Sequence, residues 1–219
     1  MNAKLKDLER GVAGYRFVDG LLELGLGVFA TGWGGFYLLD HLLAKDNPAG
    51  AVLDGLEAVF ILAWFFFTLK GVQILKQRIT LPRSGYAEPK KFTSSGRDRP
   101  FIISMGVMFL LFLVVVVVVI SDSAGMHGSL QRWEVTILAG LVAVMFIWNG
   151  LALRLRRFIL LGLWSLVLGG AIYTLQLPDH LLGRGIYSLA FGASMLLSGV
   201  VTLSGYLQNN PPVGEELSE

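Results

Sequence analysis

Glu23, Lys70, Asn149 and Ser198 are the residues of this chain that most invite chemistry, because each sits within a long apolar run. A charge near the middle of a bilayer costs roughly 2.5–3.5 kcal/mol on insertion scales and needs a partner or water. Counted from Phe17 at 1.5 Å per residue, Glu23 lies about 9 Å into the first run, and Lys70 lies about 10 Å from the end of the second. The matching depths predict a Glu23–Lys70 pair within one helical hairpin. Asp19 falls one turn below Glu23 on the same face, within reach of Arg16 or Arg78 and of solvent. Lys70, Asn149 and Ser198 are each followed by glycine, which lets helix backbones approach closely. Such a polar level could line a small cavity or hold a headgroup. The simpler reading is an interhelical clamp that fixes the bundle.

Three histidines form a second set. His41, His127 and His180 fall near helix ends on one side, two of them directly after an aspartate, Asp40 or Asp179. Imidazole binds metals and titrates near neutrality, so three converging loops would make a metal site or a pH sensor. Interfacial histidines multiplied by duplication are the simpler account, and on it no metal is expected. No two histidines lie inside an apolar run, which argues against haem. The chain has no cysteine, so disulfides, thiolate metal sites and a cysteine nucleophile are excluded. No Ser-His-Asp set, phosphate loop or dinucleotide fingerprint is present, and no basic domain suggests nucleic acid. The chain reads as non-enzymatic, with no catalytic residue and no cofactor.

The elements that must carry these residues follow from composition. Of 219 residues, 54% are hydrophobic and 16% charged, against roughly 25% charged in soluble domains; the mean hydropathy is +0.63. The bilayer is therefore the expected solvent, and a spanning helix needs about 20 mostly apolar residues. Six runs qualify, at 17–43, 53–77, 101–121, 133–153, 158–177 and 184–207. The third contains an unbroken valine run, Val114 to Val119, which in lipid is better satisfied as helix than as strand. Asp54 and Glu57 suit the start of the second helix electrostatically and need no further role.

Lysine and arginine alternate between loops. One side has Lys4, Lys6, Arg10 and Arg16, then seven cations between Lys76 and Arg99, then Arg154, Arg156 and Arg157. The other side has only Lys45, Arg132 and Arg184. The positive-inside rule places both termini in the cytoplasm. Residues 1–16 form a cytoplasmic segment, read as a short interfacial helix through Leu5, Leu8, Val12 and Tyr15. Residues 17–77 make hairpin 1, 78–100 a cytoplasmic linker, 101–153 hairpin 2, 154–207 hairpin 3 and 208–219 a disordered cytoplasmic tail. No cleavable signal peptide is visible. Trp133 reads as an interface anchor, and Trp64 as lipid-facing or packing bulk.

The hairpins also look alike. Asp40-His41-Leu42-Leu43-Ala44-Lys45 parallels Asp179-His180-Leu181-Leu182-Gly183-Arg184, and Arg16-Phe17-Val18 parallels Arg157-Phe158-Ile159. Leu69-Lys70-Gly71-Val72 parallels Leu197-Ser198-Gly199-Val200, and the middle hairpin repeats the plan loosely through Gly106, Asp122, His127 and Asn149-Gly150. The fold class expected is an all-α membrane protein: a six-transmembrane helix bundle of three parallel α-hairpin repeats around a pseudo-threefold axis. Leu161-Gly162-Leu163-Trp164-Ser165-Leu166-Val167-Leu168-Gly169, closed by Leu197-Ser198-Gly199-Val200, resembles the short repeat of the HdeD-type acid-resistance membrane proteins. The resemblance covers about half the chain. It implies a six-helix inner-membrane protein linked to stress and brings no catalytic residues.

Two functional readings follow. One is a stress-related factor or an accessory subunit acting through the lipid bilayer and other membrane subunits. The other is a small transporter or channel for protons, cations or a small solute, using Glu23, Lys70, Asn149 and Ser198.

Overall fold

A computed structural model describes residues 17, 19–43, 48–80, 83, 133–177 and 179–211. The N-terminal segment, most of the linker, the third apolar run, His127 and the C-terminal tail lie outside the described residues. Among those described, every regular element is helical: α1 (Leu21–Leu42), α2 (Pro48–Leu75, continuing as a π-helical turn over Lys76–Thr80), α3 (Glu134–Leu153), α4 (Arg156–Leu175) and α5 (His180–Asn209). Among the described residues, five helices are long and apolar enough to cross a membrane, consistent with a multi-pass helical membrane protein. They match five of the six apolar runs to within a few residues.

Glycines at seven-residue spacing set the central contact. Gly20, Gly27 and Gly34 mark one stripe of α1, and Gly185, Gly192 and Gly199 mark one stripe of α5. A Cβ on Gly20 would lie 2.7 Å from the Gly199 carbonyl oxygen, one on Gly27 3.0 Å from that of Gly192, and one on Gly34 2.9 Å from that of Gly185. The pairs run in opposite order along the two helices, so α1 and α5 are antiparallel and touch backbone to backbone. Without a hydrophobic drive between helices in lipid, such close packing supplies the attraction. Gly20 has a second reason to be glycine, since its φ of 71° is left-handed just before α1 begins.

The α3–α4 pair repeats this device. Gly162 approaches the Ala143 carbonyl (2.9 Å for a Cβ), and Gly150 approaches the backbone nitrogen of Ile159 (2.9 Å). The connecting turn is short because α3 ends in a Schellman motif. Arg154 takes the left-handed conformation at φ 56°, and the Leu155 N–H donates to the Gly150 carbonyl at 2.8 Å.

α2 packs on the other side of α1. Gly25 and Gly32 receive Val72 and Trp64 respectively, which again is antiparallel. Trp64 donates to the Val28 carbonyl at 3.3 Å and stacks on Phe60 and Phe67, so it is packing bulk on α1. The main core joins α3, α4 and α5 through Phe146, Phe158, Tyr187 and Phe191. A smaller one joins α1 and α2 through Trp33, Phe36, Tyr37 and Ile61. Trp133 is half exposed at the start of α3, its ring tilted against that of Tyr173 at 4.7 Å.

Candidate functional site

The helix directions define two ends of the bundle. α1 and α4 begin at the near end, where α2, α3 and α5 finish. Both ends hold charge removed from solvent.

At the near end, Glu23 is fully buried and pairs with Arg157 at 2.6 Å (Oε1–Nε). Arg157 also donates to the Phe17 carbonyl, so one guanidinium joins the start of α4 to the start of α1. The expected partner, Lys70, is exposed on α2. The correction has a geometric reason. α2 meets α1 through Trp64, Thr68 and Val72, and Lys70 lies two residues, about 200°, from Thr68 and from Val72. Glu23 stands at the same angle from Gly25, the α2-facing glycine. Depth alone would allow the pair, but the two side chains leave their helices on opposite sides.

Asp19 also departs from the solvated role expected of it. It is buried, with Oδ1 accepting from the Leu21 N–H at 3.2 Å. Its Oδ2 accepts from the Thr80 hydroxyl at 3.1 Å and faces Lys76 Nζ at 3.6 Å. The π-helical turn carries both of these partners; Arg78, on the same turn, is exposed, and Arg16 lies outside the described residues. Arg83 closes the same end by donating to the carbonyls of Leu207 and Asn210, at 3.3 and 3.2 Å.

The other two members of the expected polar level behave differently. Asn149 donates to the Met145 carbonyl of its own helix at 2.8 Å, and Ser198 is half-buried on α5. Gly150 and Gly199 meet neighbouring helices, whereas a Cβ on Gly71 would meet nothing within 4 Å. The Lys70 position is thus outward-facing, while its two sequence equivalents lie beside packed glycines.

The far end holds a network absent from the sequence reading. Arg184 and Glu134 are buried and form an ion pair between the starts of α5 and α3. The Arg184 guanidinium also lies 5.5 Å from the centre of the Tyr37 ring, on α1. Tyr37 in turn donates its hydroxyl to Glu57 of α2 at 2.6 Å. One chain of contacts therefore links four helices. Glu57 has a definite partner here beyond its place near a helix start. Arg184 and Glu134 are scarce charges at the starts of two apolar runs, a weak signal for this node.

His41 lies beside this node. Its Nδ1 is 2.7 Å from Asp179 Oδ2, so the two segments that share the Asp-His-Leu-Leu string do meet. Asp179 has a second duty as the N-cap of α5, accepting from the Leu181 N–H at 2.9 Å. No group of three metal-ligating side chains occurs among the described residues, and His127 lies outside them. An alanine at Asp179 is therefore expected to destabilise the protein by about 1–2 kcal/mol, since it removes both cap and clasp. Alanine at His41 is expected to cost about 1 kcal/mol or less. Reversible unfolding in mixed micelles compares them, and equal losses would show that the cap is worth nothing.

Between the ends, Ser165 donates to the Ala139 carbonyl at 2.9 Å. A hydroxyl has one proton, so the 2.7 Å contact with Tyr187 has tyrosine as donor. This buried pair stitches α4 to α3 and α5 without charge. No family model, curated protein or solved structure matches the chain.

Proposed function

We propose that this chain is a non-enzymatic, six-span inner-membrane protein with both termini cytoplasmic, serving as an accessory subunit of a membrane complex or as a stress-related factor. The observation that carries the reading is the pairing of its buried charges. Glu23 is held by Arg157 and Glu134 by Arg184, each pair joining different helices. A conducting or substrate-binding carboxylate must exchange partners, whereas these cations close the bundle. The helix directions favour the sixth span: Thr80 lies at the near end with Asp19, and Glu134 lies at the far end with Arg184. The chain between them includes one apolar run long enough to cross, 101–121. The positive loops then put the near end in the cytoplasm. The likeness among hairpins and the HdeD-type resemblance bear on the stress-related form of this reading.

The test separates clamp from conductor. Glu23→Gln and Arg157→Met should each destabilise the protein, by about 3–5 kcal/mol if the remaining charge stays buried. The double variant should recover part of that loss. Proton and cation flux into protein-loaded liposomes should stay at the background of empty ones. Stable single variants with altered flux would replace this reading with the transporter.

A further inference from the structure

We propose that the start of the linker, Lys76 to Thr80 together with Arg83, is a releasable strap across the near end, which opens to expose the buried Asp19 carboxylate while the Glu23–Arg157 clamp beneath it stays shut. The course of the chain makes the strap. α2 and α5 pack on opposite sides of α1, and all three have an end here. The chain leaves α2 through the π-helical turn and meets the start of α1 at Asp19. By Arg83 it has reached the end of α5, where the Leu207 and Asn210 carbonyls accept from Nη1 at 3.3 and 3.2 Å. Arg83 thus caps α5 from another element, as a cation at a helix C-terminus. Asp19 is 2% exposed. Among the described residues its carboxylate meets only the Leu21 N–H, Thr80 and Lys76, so both of its side-chain partners belong to the strap.

The strap is fastened weakly, and the layer below it strongly. None of the five residues of the π-helical turn is buried, so little apolar area holds it down. Its ties are hydrogen bonds of 3.1, 3.2 and 3.3 Å and an ammonium–carboxylate distance of 3.6 Å. A segment with few buried apolar contacts opens at far lower cost than the whole fold. π-helical turns are rare and concentrate at functional sites. One helical turn deeper, Glu23 is fully buried and paired with Arg157 at 2.6 Å. At the same level the α1 and α5 backbones touch through Gly20 and Gly199. The near end therefore has two stages: an outer acid behind a polar strap, and an inner acid locked into the bundle. This device is independent of both the accessory-subunit and the stress-related readings.

Full-length protein in detergent micelles would be treated with a water-soluble carbodiimide and glycinamide, and the amidation of Asp19 and Glu23 followed by mass spectrometry. In the unaltered chain Asp19 should label slowly, through strap opening, and Glu23 should not label. Thr80→Val with Arg83→Ala should speed Asp19 labelling about tenfold, the factor expected from losing hydrogen bonds of ordinary net worth, and leave Glu23 unlabelled. The chain has no cysteine, so Arg83→Cys with Asn210→Cys, joined by a short bis-methanethiosulfonate reagent, should fasten the strap covalently. Asp19 labelling should then fall well below that of the unaltered chain and return on reduction. No labelling of Asp19 in the unaltered chain would show that the strap does not open, and overturns the proposal. So does an unchanged rate in the cross-linked chain, because Asp19 would then be reached by another route. Equal Asp19 rates with and without Thr80 and Arg83 overturn it as well, since the strap would cover nothing. Glu23 labelling in step with Asp19, in the unaltered chain or the double variant, would mean that the whole bundle opens and would also refute it.

Discussion

Replacing Arg184 with leucine is expected to cost about 3–5 kcal/mol, the largest loss from any single charge in the far-end network. The size comes from what is left behind. Arg184 and Glu134 have side chains only 4% and 8% exposed, so removing the guanidinium strands a carboxylate in an apolar bundle. Arg184 also faces the Tyr37 ring, and Tyr37 engages Glu57, so the loss should loosen α1 and α2 as well as α3. Glu134→Leu should be nearly as damaging. The double variant, apolar at both positions, should recover most of the loss, because replacing a whole buried pair by packed side chains is often close to neutral. Reversible unfolding in mixed micelles gives the double-mutant cycle directly. If the two single losses simply add, the residues are uncoupled and the node is not a clamp.

The α1–α5 contact should fail next. Gly27→Leu must place side-chain atoms where a Cβ alone already meets the Leu196 nitrogen at 2.8 Å and the Gly192 carbonyl oxygen at 3.0 Å. Those neighbours are backbone, which cannot rotate away, so the helices must separate. Gly192→Ala meets the Thr31 nitrogen at 2.7 Å and tests the same interface from the other helix. Overpacking of this kind costs about 1–3 kcal/mol for small additions, and leucine should exceed alanine. Gly170 and Gly140 supply the control, since a Cβ on either meets nothing within 4 Å. Alanine there should be neutral, or should stabilise by about 0.5–1 kcal/mol through helix propensity. Gly27→Ala proving as benign as Gly170→Ala would mean that the close approach of α1 and α5 contributes nothing.

The glycine stripes also show a signal that was present in the sequence and unused. Gly20, Gly27, Gly34 and Gly185, Gly192, Gly199 repeat at seven residues, and a seven-residue repeat of small residues keeps one seam facing a partner along a whole helix. Hairpin equivalence sets Gly71 beside Gly150 and Gly199, yet a Cβ on Gly71 would meet nothing within 4 Å. The same stripes would have placed Glu23 correctly. It falls between Gly20 and Gly27 on the α5-facing side of α1, and about 200° from Gly25, which faces α2.

What the amino-acid order determined by itself was the helical class and the position of the described spans. Apolar run length and the 1.5 Å rise are properties of one helix and need no neighbour. What only the tertiary structure decided was which charge meets which. Glu23 chose Arg157, across 134 residues of chain, and Arg184 chose Glu134, because partner choice depends on which helices adjoin and how each is turned about its axis. Neither quantity is local in sequence. At the near end Glu23 is buried, but its cation comes from the start of α4, and Lys70 is left facing outward on α2.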